Sequence, residues 1–176
     1  MNRWRSAVLG CVLSDPASSL SRELRALGVE AAWDRFSSNH ASIGVAMYER
    51  WRTFDVDGLR DRTERAGARL VISGDAEWPI ALNALQDAAP WALWVVGNSL
   101  APLNDARSVA IVGARSCTDY GQRVATELGF QLSQMGYPIV SGGAFGIDAA
   151  AHRGAIAASG FTVAVLASGV DVPYPL

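Results

Sequence analysis

Two glycine-bearing stretches in the second half of this chain carry the residue types that hold an anion. The first is Gly113-Ala114-Arg115-Ser116-Cys117-Thr118-Asp119-Tyr120-Gly121, directly after the apolar run Val109 to Val112. A glycine that ends a strand lets backbone pass close to a ligand, and a helix starting just beyond it turns its unpaired amides and positive dipole end to the same spot. Arg115 adds a planar donor fork suited to a phosphodiester, and the Ser116 and Thr118 hydroxyls add neutral donors. Thr118 serves equally as a helix N-cap, which is the more ordinary use of threonine there. Tyr120 is a further pocket-lining candidate. Cys117, also near the helix start, reads as a passive small residue or as a thiol activated by the helix end.

The second stretch is Ser141-Gly142-Gly143-Ala144-Phe145-Gly146-Ile147-Asp148. Its glycines permit positive φ and an exposed run of N–H groups, a nest able to receive phosphate oxygens. Gly146 fits close packing of strand on helix as well as ligand contact. Phe145, an aromatic beside donors, is either a base-stacking platform or a hydrophobic plug beneath the loop. Asp148 and His152 are four residues apart and share a helix face. A catalytic pair would need a nucleophile or a metal, and no other His, Cys or carboxylate is spaced to complete one, so a structural hydrogen bond or a helix-end charge is the better reading. His40 is the other histidine and lies far away in sequence.

The elements around these loops follow an α/β pattern. Val109–Val112, Ile139–Val140 and Val163–Leu166 read as apolar strands, joined by an amphipathic helix ending at Gly136 and a small-residue helix closed by Gly160. Such strands belong to a parallel sheet with helices on both faces, and right-handed crossovers bring both strand-to-helix loops to one sheet edge. The fold class expected is therefore Rossmann-like α/β, occupying residues 68–176 after a small helical domain (SAM or helix-hairpin-like) at 1–67. Upstream of the sheet, Leu70–Ser73 and Trp91–Gly97 read as strands, with Pro79 in the first turn of a helix between them. In the helical part, one helix carries Leu20, Leu24 and Leu27 and ends at Gly28 in a left-handed cap. A second covers Ala41–Trp51. A third runs from Val56 to Ala66, with Asp55 as N-cap and Gly67 as terminator.

Composition narrows the function classes. All fifteen basic residues among the 176 are Arg, and the formal charge of −2 excludes a uniformly basic nucleic-acid coat. Eleven of the arginines precede Leu70 against nine carboxylates, whereas the rest of the chain has four arginines against eight acids. The arginines of the second part are thus candidates for placed contacts, and most of those in the first part belong to solvated helix faces. Cys11 and Cys117 have no metal-ligand or disulfide-framework spacing, which fits a reducing compartment. The apolar run Ala7 to Leu13 is short, contains Gly10, and reads as an amphipathic helix rather than a secretory leader. No stretch is apolar for long enough to be a membrane helix, so a soluble cytoplasmic protein is expected.

The segments IVGARSCTDYG, IVSGGAFGIDAAAHRGAI and TVAVLASGVDVPYP, with WPIALNALQDAAPWALWVVGN before them, resemble the DNA-processing protein A (DprA/Smf) family in order and spacing over about residues 70–175. The resemblance implies an extended Rossmann fold, a homodimer, and binding of single-stranded DNA at the strand ends. It further implies protection of incoming DNA and loading of the RecA recombinase in natural transformation, with no cofactor, no metal and no catalysis. Carried over by position, the DNA contacts would be Gly113, Arg115 and Ser116, and Ser141, Gly142, Gly143, Ala144, Phe145 and Gly146. Thr118, Tyr120, Asp148 and His152 would line the pocket. Two departures stand out. Many relatives have a basic residue at the position of Phe145. The sequence also stops at Leu176, just after the family's Tyr-Pro pair, so the sheet is expected to be incomplete and a regulatory or inactive relative is an alternative. A phosphoribohydrolase of a related Rossmann-like group is another, although its Pro-Gly-Gly-x-Gly-Thr loop and neighbouring Glu are missing. A nicotinamide dehydrogenase is disfavoured because the full Gly-x-Gly-x-x-Gly fingerprint is missing.

Overall fold

A computed structural model of the chain describes residues 3–13, 15, 18–38, 43–105 and 107–172. They form two compact units, Met1–Asn98 and Ser99–Leu176. The division falls well beyond the composition change at 67/68, because the segment after Arg69 packs into the core of the helical part.

In the first unit the helices are α1 (Arg3–Leu13), α2 (Ser19–Leu27), α3 (Val29–Ser38), α4 (Val45–Arg52) and α5 (Val56–Arg65). The hairpin strands β1 (Arg69–Val71) and β2 (Leu93–Val95) pair antiparallel, with Leu70 opposite Trp94. Ala7, Leu9 and Val12 of α1 are wholly buried and share one core with Leu24, Phe36, Leu59, Leu70, Ile72 and Trp91. Helix and hairpin are also tied by polar bonds. Trp91 Nε1 donates to Ser21 Oγ at 3.4 Å and Trp94 Nε1 to Thr63 Oγ1 at 3.2 Å. The run Ala7 to Leu13 is therefore a core helix, and burial pushes the Cys11 thiol pKa up.

Several expected boundaries shift. Gly28 ends α2 with φ +84 but an extended ψ of 166, so it is not a left-handed helical cap. Helix α3 follows at once and was not expected. The helix expected from Ala41 starts at Val45, behind Gly44; Ala41 itself and His40 lie outside the described residues. Asp55 does cap α5, its Oδ1 accepting from Gly58 N–H at 2.8 Å. The segment after Pro79 is a 3₁₀ helix, Ile80–Ala88, interrupted at Gln86.

The second unit has the short helix α6 (Pro102–Asp105) and then β3 (Val109–Ala110), α7 (Asp119–Gln134), β4 (Ile139–Gly142), α8 (Ile147–Ala157) and β5 (Thr162–Val165). The strands run parallel in the order β3-β4-β5, with Val109 beside Ile139 and Ile139 beside Thr162. Helices α7 and α8 pack on each other and over β4. Their backbones touch because Gly129 abuts the Ala151 carbonyl and Gly154 the Thr126 carbonyl, where no Cβ would fit. Small residues hold this core: Ala151 and Ala155 against Ile139, with Val109, Ile111 and Leu132 around them. Among the described residues β3 and β5 each pair on one side only, and Val112 and Val165 are 71% and 62% exposed.

Candidate nucleic-acid interface

Parallel strands deliver both glycine loops to the same end of the sheet, after β3 and after β4. The loops then lock together through backbone. Ile147 N–H donates to the Ala114 carbonyl at 3.2 Å, across the gap between them. Gly146 has φ +82, and a Cβ there would collide with the Ala114 and Arg115 carbonyls, so only glycine allows this approach. Gly113 is needed for a different reason: a Cβ on it would come 2.7 Å from Ile147 Cγ1. Close packing of loop on loop thus accounts for both glycines. Ile147 is the residue that joins the loops, and composition gave no sign of it beyond an apolar side chain next to Gly146.

The first loop is open. Gly113, Ala114, Arg115 and Ser116 are exposed, as are Thr118 and Tyr120, while Cys117 is half-buried. Thr118 caps α7, its Oγ1 accepting from Gly121 N–H at 3.2 Å, which is the ordinary reading of that residue. Asp119 lies in the first turn of α7, where a carboxylate complements the helix end.

The second loop is held more tightly. Ser141 is buried and its hydroxyl donates to the Ile111 carbonyl at 2.5 Å, tying β4 to the end of β3. Ala144 N–H donates to Asp148 Oδ2 at 3.4 Å. Ser141 and Ala144, counted from the sequence as ligand contacts, therefore already use these donors inside the protein. Among the described residues, the N–H groups of Phe145 and Gly146 have no protein acceptor, whereas that of Gly143 faces the Val165 carbonyl in the β4–β5 ladder. Phe145 is 59% exposed beside them, which makes it a surface aromatic rather than a plug. Asp148 is 7% exposed. His152, half-buried, has Nε2 3.0 Å from the Gly142 carbonyl oxygen and Nδ1 2.7 Å from Thr162 Oγ1.

The pair Asp148 and His152 is thus engaged with backbone and a threonine, in line with the structural reading of their spacing. Among the described residues no group of three or more His, Cys, Asp or Glu is gathered to hold a metal. Nor is any helix among them long and apolar enough to cross a membrane.

A parallel sheet wound through helices, with two interlocked glycine loops at its strand ends, defines a Rossmann-like α/β protein. Within that class the family is settled by sequence. The profile of the DNA recombination-mediator protein A family matches residues 69–176, and the chain belongs to that family. It is 36% identical over 182 aligned residues, 96% of this chain, to a protein of Mycobacterium tuberculosis (strain CDC 1551 / Oshkosh) provisionally named DNA processing protein DprA. It is 40% identical over 98 residues to DNA processing protein DprA of Streptococcus pneumoniae (strain ATCC BAA-255 / R6), covering 56% of this chain and 33% of that protein. The X-ray structure of DNA processing protein A from Streptococcus pneumoniae superposes with a TM-score of 0.72 at 27% identity, covering 99% of this chain and 61% of that one. The chain spans about half the length of the Mycobacterium relative, 46%.

Proposed function

We propose that this chain is a DNA-binding module whose two interlocked loops grip the backbone of single-stranded DNA. The Ile147 N–H bond to the Ala114 carbonyl carries this reading, since it brings Arg115 and Ser116 of one loop beside the unpaired N–H groups of the other. Arg115 supplies the charged fork, Ser116 a hydroxyl, and Phe145 and Gly146 the amide donors. Phe145 offers a face on which one base stacks. Thr118 and Tyr120 line the rim of the same site. Family membership supports the wider role: a cytoplasmic, non-catalytic protein of natural transformation that protects incoming DNA, works as a homodimer and loads the RecA recombinase.

Titration of a fluorescein-labelled oligothymidylate by anisotropy tests the site. The chain is expected to bind at low salt and to weaken steeply as salt rises, and Arg115→Ala is expected to weaken it further at every salt concentration. Unchanged affinity in Arg115→Ala at low salt would remove Arg115 from the site. Release of free base from nucleoside monophosphates would replace the binding reading with a phosphoribohydrolase.

A further inference from the structure

The first two turns of α8 reach back to the loop that precedes them at two points. Asp148 Oδ2 accepts from the N–H of Ala144. His152 Nε2 lies 3.0 Å from the carbonyl oxygen of Gly142. Gly142 also lacks room for a side chain, because a Cβ there would run into Asp148 Oδ2. The loop's first carbonyl and its middle amide are therefore pinned to one helix face by residues four apart.

The proton inventory of His152 makes one of these bonds obligatory. A carbonyl only accepts, so Nε2 must carry a hydrogen. The Thr162 hydroxyl donates to the Ile139 carbonyl at 3.0 Å, and with its single proton there, Nδ1 must donate to Thr162 Oγ1 as well. If Thr162 turns its proton to Nδ1 instead, the ring is the neutral Nε2–H tautomer. The bond to Gly142 persists in both arrangements. Asp148 differs, because only one of its oxygens is used: Oδ1 is buried and has no donor among the described residues. Its acceptor function is satisfied while its charge is not.

We infer that Asp148 and His152 are positioning residues for the DNA-gripping loop, holding Gly142 and Ala144 so that the N–H groups of Phe145 and Gly146 are presented in one fixed arrangement. This rests on the reading of the loops given under Proposed function. What the loop needs from Asp148 is an acceptor for Ala144 N–H, not a negative charge, which opposes a polyanion nearby. What it needs from His152 is the Nε2 donor, not the contact to Thr162.

Isosteric pairs separate these roles. The amide nitrogen of glutamine overlays histidine Nε2, and that of asparagine overlays Nδ1. Oligothymidylate affinity is therefore measured for H152Q, H152N, D148N and D148A, beside the thermal midpoint of each. H152Q and D148N are expected to bind as tightly as the parent or more tightly. H152N and D148A, each lacking one loop bond, are expected to bind about tenfold more weakly. A purely structural role would move the midpoints and leave the affinity of folded variants alone. Equal affinities for H152Q and H152N, or parent-like affinity in folded D148A, would overturn the inference. Should H152N and D148A not fold, H152Q decides: parent-like affinity supports the inference, and a tenfold loss overturns it. Failure of the parent chain to bind would instead sink the underlying reading of the loops.

Discussion

The two units solve opposite problems with the same residue types. The first has large side chains at its centre, Phe36, Leu9 and Leu24 being wholly buried, and it holds all six tryptophans of the chain. Many of its arginines are turned to its own carboxylates and rings. Arg3 pairs with Asp75, Arg5 with Glu30, Arg35 with Glu23, Arg52 with Glu49 and Arg69 with Glu77. Arg25 lies 4.2 Å from the centroid of the Trp91 ring, and burial lowers the pKa of its guanidinium. The second unit has alanines and glycines in its core, and its loops carry exposed donors. Arginine count therefore does not mark the unit whose loops carry the exposed donors. The unit with eleven arginines directs many of them at its own carboxylates and rings, and the unit with four carries Arg115, exposed, in the loop whose Ala114 carbonyl accepts from Ile147 N–H.

That contrast can be broken at several points. The largest effect is expected from Phe36→Ala, which removes the biggest wholly buried side chain of the first unit and should cost about 3–5 kcal/mol. Tryptophan emission during urea unfolding reads this directly, because every tryptophan lies before Asn98. A shift of less than about 1 kcal/mol would mean that the aromatic core is looser than its burial indicates. Next is Gly146→Ala, which places a Cβ at φ +82 against the Ala114 carbonyl. It should cost about 1–3 kcal/mol of local stability and lower oligonucleotide affinity, seen as lost amide-exchange protection at Ile147. Arg115→Ala should reduce the slope of log affinity against log salt by about 1, the signature of one lost phosphate contact. The smallest effect sharpens the comparison from the other side. Arg35→Ala removes a surface ion pair, should change stability by less than about 1 kcal/mol, and should leave the salt slope of DNA binding untouched.

Much of the second unit was legible because its signals are local. Apolar strands followed by glycine and then by a capped helix leave few alternatives, and both loops lie where that order puts them. The first unit is less legible. Helix α3 follows α2 with only Gly28 between them, so a stop signal hid a start, although Val29, Ala32, Trp33 and Phe36 keep helical spacing. By its composition the hairpin Arg69–Val95 reads with the sheet domain, whereas Leu70, Ile72 and Trp91 bury themselves among helices. No periodicity reveals which core a short strand joins. Within the site, the spacing of Asp148 and His152 was visible, but their partners were not. A bond from a helix side chain to Gly142 or Ala144 depends on how the loop turns, and sequence spacing does not encode that turn.

The backbone contact between α7 and α8 has a mechanical meaning. Gly129 and Gly154 bring the two helices together without intervening side chains, and each helix begins at one of the two glycine loops. Two jaws are in effect mounted on one stiff beam. If the loops hold a DNA strand as proposed, a tug along it would be shared by both jaws, and would be resisted by helix backbone rather than by soft side-chain packing.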